Sequence, residues 1–308
     1  MPHIVVVGSL NMDLVVEVPS IPQPGETVLG KNFATFPGGK GANQAVAAAR
    51  LGSKVSLIGR VGQDSFGDQL LVSAQADGIN VSHVGRDDTA ATGVAMITVD
   101  ERGQNSIAVA SGANFRLTAD HVRKAWTKLD DVDILVMPLE TPLETIAAAV
   151  ELARQSGVTV VLNPAPARSL PAEILASVDV LVPNEPETEQ LTGMVISTID
   201  DRQTAARQLL ALGVGNVVLT LGSQGALALD SHKDQFALIP ACRVDVVDTT
   251  AAGDAFVGGV AVGLGEGNSL IESVRFANAV GALAVTKLGA QPSMPARDDV
   301  DLFLAKHT

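Results

Sequence analysis

The amino-terminal residues 4–7 form an unbroken apolar run that is closed by Gly8. A short apolar run that ends at a glycine is typical of a strand buried in a parallel sheet. From Leu117 onward, such runs alternate with helical segments of roughly 10–15 residues. This alternation predicts an α/β fold, in which helices cover both faces of a central, mostly parallel sheet.

The same pattern locates the individual elements. Strands are expected at 4–7, 54–58, 134–137, 158–162, 178–182 and 217–221, with a hairpin over 226–240. Helices are expected at 44–52, 64–76, 118–129, 143–155, 185–192, 200–212, 252–265 and 269–286.

Two pairs of short strands interrupt this rhythm, at 14–18 with 27–36 and at 93–99 with 106–110. They predict a small second sheet, discontinuous over about 13–36 and 93–111, of a size suited to a lid. Its apolar face would need cover, which favours a homodimer formed through this sheet. The whole chain, 1–308, is expected to be a single α/β domain that carries this lid.

Composition narrows the classes of function. The net charge of −13 and an aromatic content of 3% argue against a nucleic-acid surface. One cysteine, Cys242, excludes an intramolecular disulfide and fits a reducing, cytoplasmic location. No apolar run reaches the roughly 20 residues of a membrane span, so no membrane partner is expected.

The segment from Asp245 to Phe256 joins a strand-like run to a helix through a corner of small residues. The N–H groups in a first helical turn have no internal partners and form an anion site. A carboxylate at this point, Asp254, would repel the anion, which indicates a base that works beside a bound phosphate. The alternative is that Asp254 only caps the helix.

Polar residues also follow the first strand and the first glycine-rich loop. Asn11 and Asp13 lie just after the strand, where open α/β sheets bind ligands, and could bind a polyol or simply form a turn. Two glycines before Lys40 would let the backbone approach a ligand, and Lys40 and Asn43 would donate to hydroxyls; alternatively, the glycines serve only the turn. Neither the dinucleotide-binding pattern nor the P-loop pattern is present here.

Further polar groups stand after later strands. Asn184 and Glu187 are one helical turn apart, which suits Mg²⁺ directly or through water, or else a helix-capping pair. The segment from Thr220 to Gly225 could hold the phosphates or ribose of a nucleotide, or be a plain glycine turn. The histidines share no spacing, and none is assigned to catalysis or metal: His3, His83, His121, His232 and His307.

Together these motifs resemble the ribokinase (PfkB-type) family of sugar kinases, from Ile4 to about Pro295. The segment 38–45 is similar to the family's N-terminal signature, and 248–256 to its C-terminal signature. The segments 111–114, 139–140 and 163–167 are similar to the ribokinase branch in particular. The resemblance implies a ribokinase-like, Rossmann-type fold and phosphorylation of D-ribose at O5 by Mg·ATP.

The resemblance also implies roles for individual residues. Asp254 would be the base, and the backbone amides of Ala251, Ala252 and Gly253 would form an anion hole. The sugar would contact Asn11, Asp13, Gly39, Lys40, Asn43, Glu140 and Asp254. ATP would contact Asn184, Thr220, Gly222, Ser223, Gly225, Gly253 and Asn278, the last at a position where relatives carry histidine. Mg²⁺ would lie near Asn184 and Glu187, through water, and K⁺ near Asp248, Thr250, Ala284, Lys287, Gly289 and Ser293, several through backbone carbonyls.

Other functions remain open from the sequence. The nearest are kinases for another small sugar, such as 2-deoxyribose, or for a nucleoside. A non-catalytic sugar-binding protein on this fold would be expected to lack the base or the anion hole, and Asp254 and Gly253 are both present. The missing glycine pattern disfavours an NAD-dependent oxidoreductase.

Overall fold

The computed structural model describes residues 1–231, 233 and 235–307. Within them, nine strands form a large sheet and four form a separate small sheet, which confirms the predicted α/β class and the second sheet. The strands are β1 (His3–Val7), β2 (Asn11–Val18), β3 (Asn32–Gly38), β4 (Lys54–Gly62), β5 (Asn80–Asp87), β6 (Gly93–Asp100), β7 (Asn105–Ala110), β8 (Ile134–Met137), β9 (Thr159–Leu162), β10 (Val180–Leu181), β11 (Asn216–Thr220), β12 (Ala226–Asp230) and β13 (Gln235–Ile239). The helices are α1 (Lys40–Arg50), α2 (Ser65–Ala76), α3 (Ala119–Trp126), α4 (Leu143–Gln155), α5 (Ala172–Leu175), α6 (Glu185–Thr192), α7 (Ile199–Ala211), α8 (Ala252–Gly265), α9 (Leu270–Ala284) and α10 (Arg297–His307).

The large sheet has the strand order β13-β12-β11-β10-β9-β8-β1-β4-β5. Its pairs are parallel except those of β12, which runs antiparallel to both of its neighbours. The chain leaves β1 towards β4 and β5 on one side and later returns to β8 on the other. The carboxyl ends of β1 and β8 therefore form a topological switch point, where open α/β sheets bind ligands.

Both faces of the large sheet are buried. Ile4 and Val6 pack into the core that includes residues of α1, α8 and α9, whereas Val5 and Val7 pack into the core that includes residues of α4. All four side chains are fully buried. A strand covered on both sides has no polar face, which is why β1 reads as a continuous apolar run.

The small sheet is built from two antiparallel pairs, β2 with β3 and β6 with β7, joined by parallel pairing of β2 with β6. The sequence predicted its first strand at 14–18, but β2 begins at Asn11. Asn11 is in register with Gly38 and Gly93, so pairing continues on both sides to this residue. Asn11 and Asp13 are therefore strand residues, and their interpretation as turn residues is wrong.

Three elements were not predicted. α5 (Ala172–Leu175) has only four residues, too few to show a helical repeat of apolar positions. β5 is an edge strand with the sequence NVSHVGRD, whose mixed polar residues give no apolar run to recognise. α10 lies in the last part of the chain and carries several acidic residues. None of the helices among the described residues is long and apolar enough to cross a membrane.

The helices α1 and α8 pack unusually closely. A Cβ atom placed on Gly258 would lie 2.6 Å from the Cβ of Ala47 and 3.2 Å from the carbonyl oxygen of Gln44. Since no side chain larger than hydrogen fits there, the glycine permits near contact between the two helices. One turn earlier in each helix, Asp254 meets Asn43 and Gln44, so the two helices begin side by side.

Candidate active site

Glu140 lies at the switch point of the large sheet, three residues after β8 ends. One of its carboxylate oxygens, Oε2, accepts hydrogen bonds from the Ser9 hydroxyl at 2.5 Å and from the Lys40 amide at 3.0 Å. Ser9 follows β1 and is fully buried. The carboxylate is therefore fixed between the end of β1 and the N-terminus of α1, where a helix favours negative charge.

The glycine-rich loop brings α1 against the end of β1. Gly39 caps α1 with a φ of 88°, and a Cβ there would lie 2.7 Å from the Asn11 amide nitrogen. A Cβ on Gly41 would lie 2.5 Å from the Ser9 amide nitrogen. At these two positions the close neighbour is protein backbone, so the loop's glycines serve packing as well as any approach to a ligand.

Asn11 is oriented by a residue that was not assigned to the site from the sequence, Asn114. The side-chain nitrogen Nδ2 of Asn114 donates to Asn11 Oδ1 at 2.7 Å, and Asn114 Oδ1 accepts from the backbone amide of Leu10 at 2.9 Å. Asn114 is 1% exposed, so this orientation is fixed by the interior. Asn11 therefore has its NH₂ group left to offer as a donor. The only sequence signal for Asn114 is the similarity of the segment 111–114 to the ribokinase branch.

Asp13 lies on the same face of β2 as Asn11, two residues further on. A Cβ on Gly38 would lie 2.3 Å from Asp13 Oδ2, so the glycine makes room for this carboxylate. Burial, together with the negative charges of Glu140 and Asp254, raises the pKa of Asp13 to about 7. Asp13 therefore lies within electrostatic reach of both Glu140 and Asp254.

The pKa of the Lys40 ammonium responds to the carboxylates of Asp254, Glu140 and Glu187. Asp254 raises the pKa of the Lys40 ammonium most, burial lowers it, and Glu140 and Glu187 add smaller increases. Lys40 thus lies within electrostatic reach of both the Glu140 side and the Glu187 side of the site. A cation in this position can interact with a ligand that bridges the two sides.

Asp254 is buried, at 4% exposure, in the first turn of α8. Its Oδ2 accepts from the side-chain nitrogen Nδ2 of Asn43 at 2.9 Å, and its Oδ1 accepts from the side-chain nitrogen Nε2 of Gln44 at 3.1 Å. The N-cap of α8 is Ala251, which is left-handed with a φ of 57° and forms no side-chain capping bond. The interpretation of Asp254 as a helix cap is therefore wrong. Asn43 Oδ1 is buried without a partner among the described residues, so Asn43 offers an acceptor in addition to the N–H group that it does not donate to Asp254.

The backbone before Asp254 leaves amide groups open. Gly253 is exposed, and a Cβ there would meet nothing within 4 Å. The Ala252 amide donates to the Thr249 carbonyl oxygen at 3.3 Å, a long hydrogen bond. The amides of Ala251 and Gly253 have no acceptor in the described part of the chain. This helix terminus can therefore bind an anion.

Asn184 and Glu187 form a reciprocal capping pair at the start of α6. The Glu187 amide donates to Asn184 Oδ1 at 2.8 Å, and the Asn184 amide donates to Glu187 Oε2 at 2.9 Å. The capping alternative is thus confirmed. This pairing leaves Glu187 Oε1 without a partner among the described residues. Burial is the main cause that raises the pKa of Glu187, whereas the charge of Lys40 lowers it. A buried carboxylate with one free oxygen fits a water-mediated Mg²⁺ site. The side-chain oxygen Oδ1 of Asn184 already accepts a hydrogen bond from the Glu187 amide.

The segment after β11 divides into an open and a buried part. Gly222 and Ser223 are exposed in the turn Gly222–Gln224. Gly225 is buried, and a Cβ there would lie 2.0 Å from the carbonyl oxygen of Ile239. Thr220 donates its amide to the Pro183 carbonyl oxygen at 2.8 Å, which places this strand end beside Asn184.

Asn278 is committed to the protein backbone. Its amide nitrogen donates to the carbonyl oxygens of Ile239 and Pro240, each at 3.2 Å, and the residue is 8% exposed. The side chain therefore holds the end of β13 against α9. Both of its N–H groups are engaged, so only Oδ1 is left for a nucleotide.

Two loops meet beside the N-terminus of α8. Asp248 Oδ1 accepts from the Thr250 amide and hydroxyl at 2.9 and 2.7 Å, and Oδ2 accepts from the Gly289 amide at 2.8 Å. Burial opposes ionisation of Asp248, but these hydrogen bonds together lower its pKa. Ser293 is buried and donates to the Ala290 carbonyl oxygen at 2.8 Å. Asp248 Oδ1 accepts two hydrogen bonds, whereas Oδ2 accepts one and keeps a lone pair, so a cation here would have Oδ2 and nearby carbonyl oxygens as ligands.

His3 and His121 have different hydrogen-bond partners. His3 is buried against the Asp130 carbonyl oxygen and the Ser56 hydroxyl, and His121 pairs with Thr118 at the start of α3. His232 and the side chain of His307 lie outside the described residues. No group of three or more His, Cys, Asp or Glu side chains arranged to hold a metal occurs among the described residues.

Comparison with known proteins places these observations in a family. The model of the pfkB family carbohydrate kinases matches residues 1–297. The chain is 43% identical over 299 residues to ribokinase of Haemophilus influenzae, with 97% of each chain covered. It is 39% identical over 303 residues to deoxyribokinase of Salmonella typhi, with 98% of each covered. The structure of Arabidopsis thaliana ribokinase complexed with ribose and ATP superposes with a TM-score of 0.90 at 34% identity, covering 98% of each chain.

The raised pKa of Asp13 predicts that the affinity for the sugar depends on pH. Its carboxyl has a pKa of about 7, so it loses its charge as the pH falls through that value and accepts hydrogen bonds less well. We expect the dissociation constant for D-ribose, measured by calorimetry, to rise about tenfold between pH 8 and pH 6. Asp13→Asn should bind more weakly and with little pH dependence. A wild-type affinity that stays constant over this range would contradict the role given to Asp13.

Proposed function

This chain belongs to the pfkB family of carbohydrate kinases, and we propose that it transfers the γ-phosphoryl group of ATP to O5 of D-ribose. The observation that carries the proposal is the position of Asp254. This carboxylate is buried beside open amides at the start of α8, and it acts electrostatically on Asp13. A base, an anion site and hydroxyl-binding groups therefore converge at one place. The several ribokinases among its relatives support the same activity.

The sugar pocket would read hydroxyl groups by a mixture of donors and acceptors. Asn11 offers N–H groups, because its oxygen is held by Asn114. Asp13, Glu140 and the unpaired Asn43 Oδ1 offer acceptors, and Gly39 and Lys40 form the wall contributed by the start of α1. Since each sugar hydroxyl can both donate and accept, a pocket with both kinds of group suits a polyol.

Asp254 would accept the O5 proton as the alcohol attacks phosphorus. Its two amide donors keep the carboxylate oriented, and each oxygen retains a lone pair for the incoming hydroxyl. General-base help of this kind contributes about 10²- to 10⁴-fold. Most of the remaining rate enhancement would come from positioning and charge stabilisation.

The transferring phosphoryl group would lie against the amides of Ala251 and Gly253, with Ala252 able to join if its long bond to Thr249 is exchanged. Lys40 would neutralise charge on the same group, since it already interacts with both Asp254 and Glu187. Fixed donors aimed at developing charge usually contribute more to such catalysis than any other single effect. A Mg²⁺ ion, held through water by Glu187 and near Asn184, would neutralise the phosphates of ATP when bound.

The nucleotide would lie over the exposed turn after β11. Thr220, Gly222 and Ser223 are the residues of that segment placed to meet it, and Asn184 lies next to Thr220. Gly225 and Asn278 would act mainly by supporting this wall, because Gly225 is packed on Ile239 and Asn278 is bonded to the backbone. This changes the direct contacts that the family resemblance implied for them.

A K⁺ ion would bind between the loop at Asp248–Thr250 and the loop from Ala284 to Ser293. The Asp248–Gly289 hydrogen bond joins these loops. Val285, which belongs to the second loop, accepts from the amides of Val247 and Asp248 through its carbonyl oxygen. The negative charge of Asp248 and the carbonyls of Ala284, Lys287 and Gly289 would attract the ion. Ordering of these loops would in turn fix the start of α8.

We also propose that the whole chain, 1–308, forms one domain in which the small sheet acts as a lid. Ile107 and Val109 on β7 are 54% and 51% exposed on the face that carries Asp13, as the register of β2, β6 and β7 requires. Exposed apolar residues on a sheet favour contact with a second copy, so a homodimer through this sheet is proposed. Closing the lid over the sugar would exclude water and limit ATP hydrolysis. With its single cysteine, the enzyme is proposed to be cytoplasmic.

Phosphorylation of 2-deoxyribose is the second candidate, because a deoxyribokinase is 39% identical to the chain over almost its full length. The two sugars differ by one hydroxyl group. A site that hydrogen-bonds this hydroxyl rejects the analogue that lacks it, since buried polar groups are then left unpaired.

The proposal predicts a particular order of substrates. ADP release should be fastest with D-ribose, slower with 2-deoxyribose, and near background with adenosine, each at saturating Mg·ATP. Removing K⁺ should lower the rate with D-ribose. Faster turnover of 2-deoxyribose or adenosine would overturn the substrate assignment, and a rate indifferent to K⁺ would remove the monovalent site.

Asp254→Asn should retain the fold and D-ribose binding but lose turnover by at least about 10²-fold, because the amide cannot accept the O5 proton. Turnover would be followed by ADP release, and binding by calorimetry on the same preparation. Glu144→Gln, a change of the same kind at an exposed site in α4, serves as the control and should match the wild type. Turnover of Asp254→Asn equal to that of the wild type would exclude Asp254 as the base.

A further inference from the structure

Asp254 accepts from the last member of a series of hydrogen-bonded side-chain amides. The protein interior fixes which group donates and which accepts at each step. The series begins at the carbonyl oxygen of Val182, which accepts from the Asn163 amide nitrogen at 2.9 Å. Asn163 Oδ1 accepts from the Gln44 amide nitrogen at 3.2 Å, and the same nitrogen donates to Asp254 Oδ1 at 3.1 Å. Gln44 is fully buried and thus cannot exchange these partners for water.

The orientation of each amide follows from its neighbour. Asn163 must direct its NH₂ group at the Val182 carbonyl, so it presents its oxygen to Gln44. Gln44 must then direct its NH₂ group at two acceptors, Asn163 Oδ1 and Asp254 Oδ1. A rotated Gln44 would place its own oxygen against both of them.

The cost of this arrangement is visible at Gln44 Oε1, which is buried without a hydrogen-bond partner among the described residues. An unpaired buried acceptor is unfavourable. The folded protein retains this unpaired acceptor, while both Gln44 N–H groups donate hydrogen bonds, one of them to the carboxylate of the proposed base. Retention of the donor orientation points to a role for that bond.

We infer that Gln44 is a positioning residue for phosphoryl transfer, which holds the Asp254 carboxylate correctly oriented, and that Asn163 acts through Gln44. The inference rests on the proposed function, because it takes Asp254 as the base. Asn43 makes the second bond to Asp254 but is also placed in the sugar pocket, so it serves two roles. The bonds described for the Gln44 side chain are to Asn163 and Asp254 alone within the described residues, so its influence on the sugar would pass through Asp254.

The test replaces Gln44 with Met, which has similar length but no donor. We expect kcat to fall by about 10- to 100-fold, the range for loss of a hydrogen bond to a charged group. The KM for D-ribose should stay within about threefold of the wild type, because the described bonds of the Gln44 side chain go to Asn163 and Asp254 and it has no place in the proposed sugar pocket. The acid limb of the kcat profile should move to higher pH, because a carboxylate with one donor fewer ionises less readily.

Asn163→Leu should lower kcat by less than Gln44→Met, and the double variant should be no slower than Gln44→Met alone. Ser53→Ala is the matched control, since Ser53 is also buried, has an unpaired hydroxyl and lies just beyond the end of α1. It should leave kcat and the pH profile unchanged. If Gln44→Met does not fold, Asn163→Leu and Asn163→Asp test the series from its other end through the same pH profile.

Three results would overturn the inference. They are an unchanged kcat in Gln44→Met, a loss of kcat that is equal at all pH values and accompanies a lower Tm, and effects of Gln44 and Asn163 that multiply. Failure of the proposed function has a different signature, because the wild type itself would then not phosphorylate D-ribose. The variants could still be assayed with whichever sugar the wild type phosphorylates.

Discussion

The close packing of α1 on α8 is the constraint on which the site depends. Gly258 and Ala47 bring the two helices into near contact, and one turn earlier the same alignment sets Asn43 and Gln44 against Asp254. The start of α1 is in turn placed by Gly41 against the end of β1, where Ser9 and the Lys40 amide hold Glu140. Small residues at two helix contacts therefore determine where the carboxylates lie. Larger side chains at either contact would move the proposed base and the sugar pocket together.

The electrostatics of the site follow from this crowding. Asp13, Glu140, Asp254 and Glu187 lie within electrostatic reach of Lys40 or of one another, and the pKa values of Asp13 and Glu187 are raised. Such an arrangement carries excess negative charge, which makes it receptive to a cation or to hydroxyl donors. A sugar supplies such hydroxyl donors. The open amides at the start of α8 can bind an anion in the same region, which is where we propose that the phosphoryl group lies.

Much of this was accessible from the sequence. The apolar runs predicted the parallel sheet, and the conflict between Asp254 and an anion at one helix start led to the proposal that Asp254 is a base. Other features depended on contacts that local pattern cannot show. Gln44 and Asp254 are 210 residues apart, so only the packing of α1 on α8 shows that they meet. Asn278 was expected at the nucleotide, but the backbone of residues 239–240 takes its amide, and β5 has no apolar run by which an edge strand could be recognised.

The proposed chemistry requires that Asp254, held by Asn43 and Gln44, faces the hydroxyl that is phosphorylated. A crystal structure of this protein with D-ribose and a non-hydrolysable ATP analogue measures this directly. We expect O5 to lie about 2.6–3.2 Å from an Asp254 carboxylate oxygen, with both amide bonds to Asp254 retained. A sugar whose O5 is hydrogen-bonded to another group, with Asp254 turned away from the γ-phosphate, would contradict the assignment of Asp254 as the base.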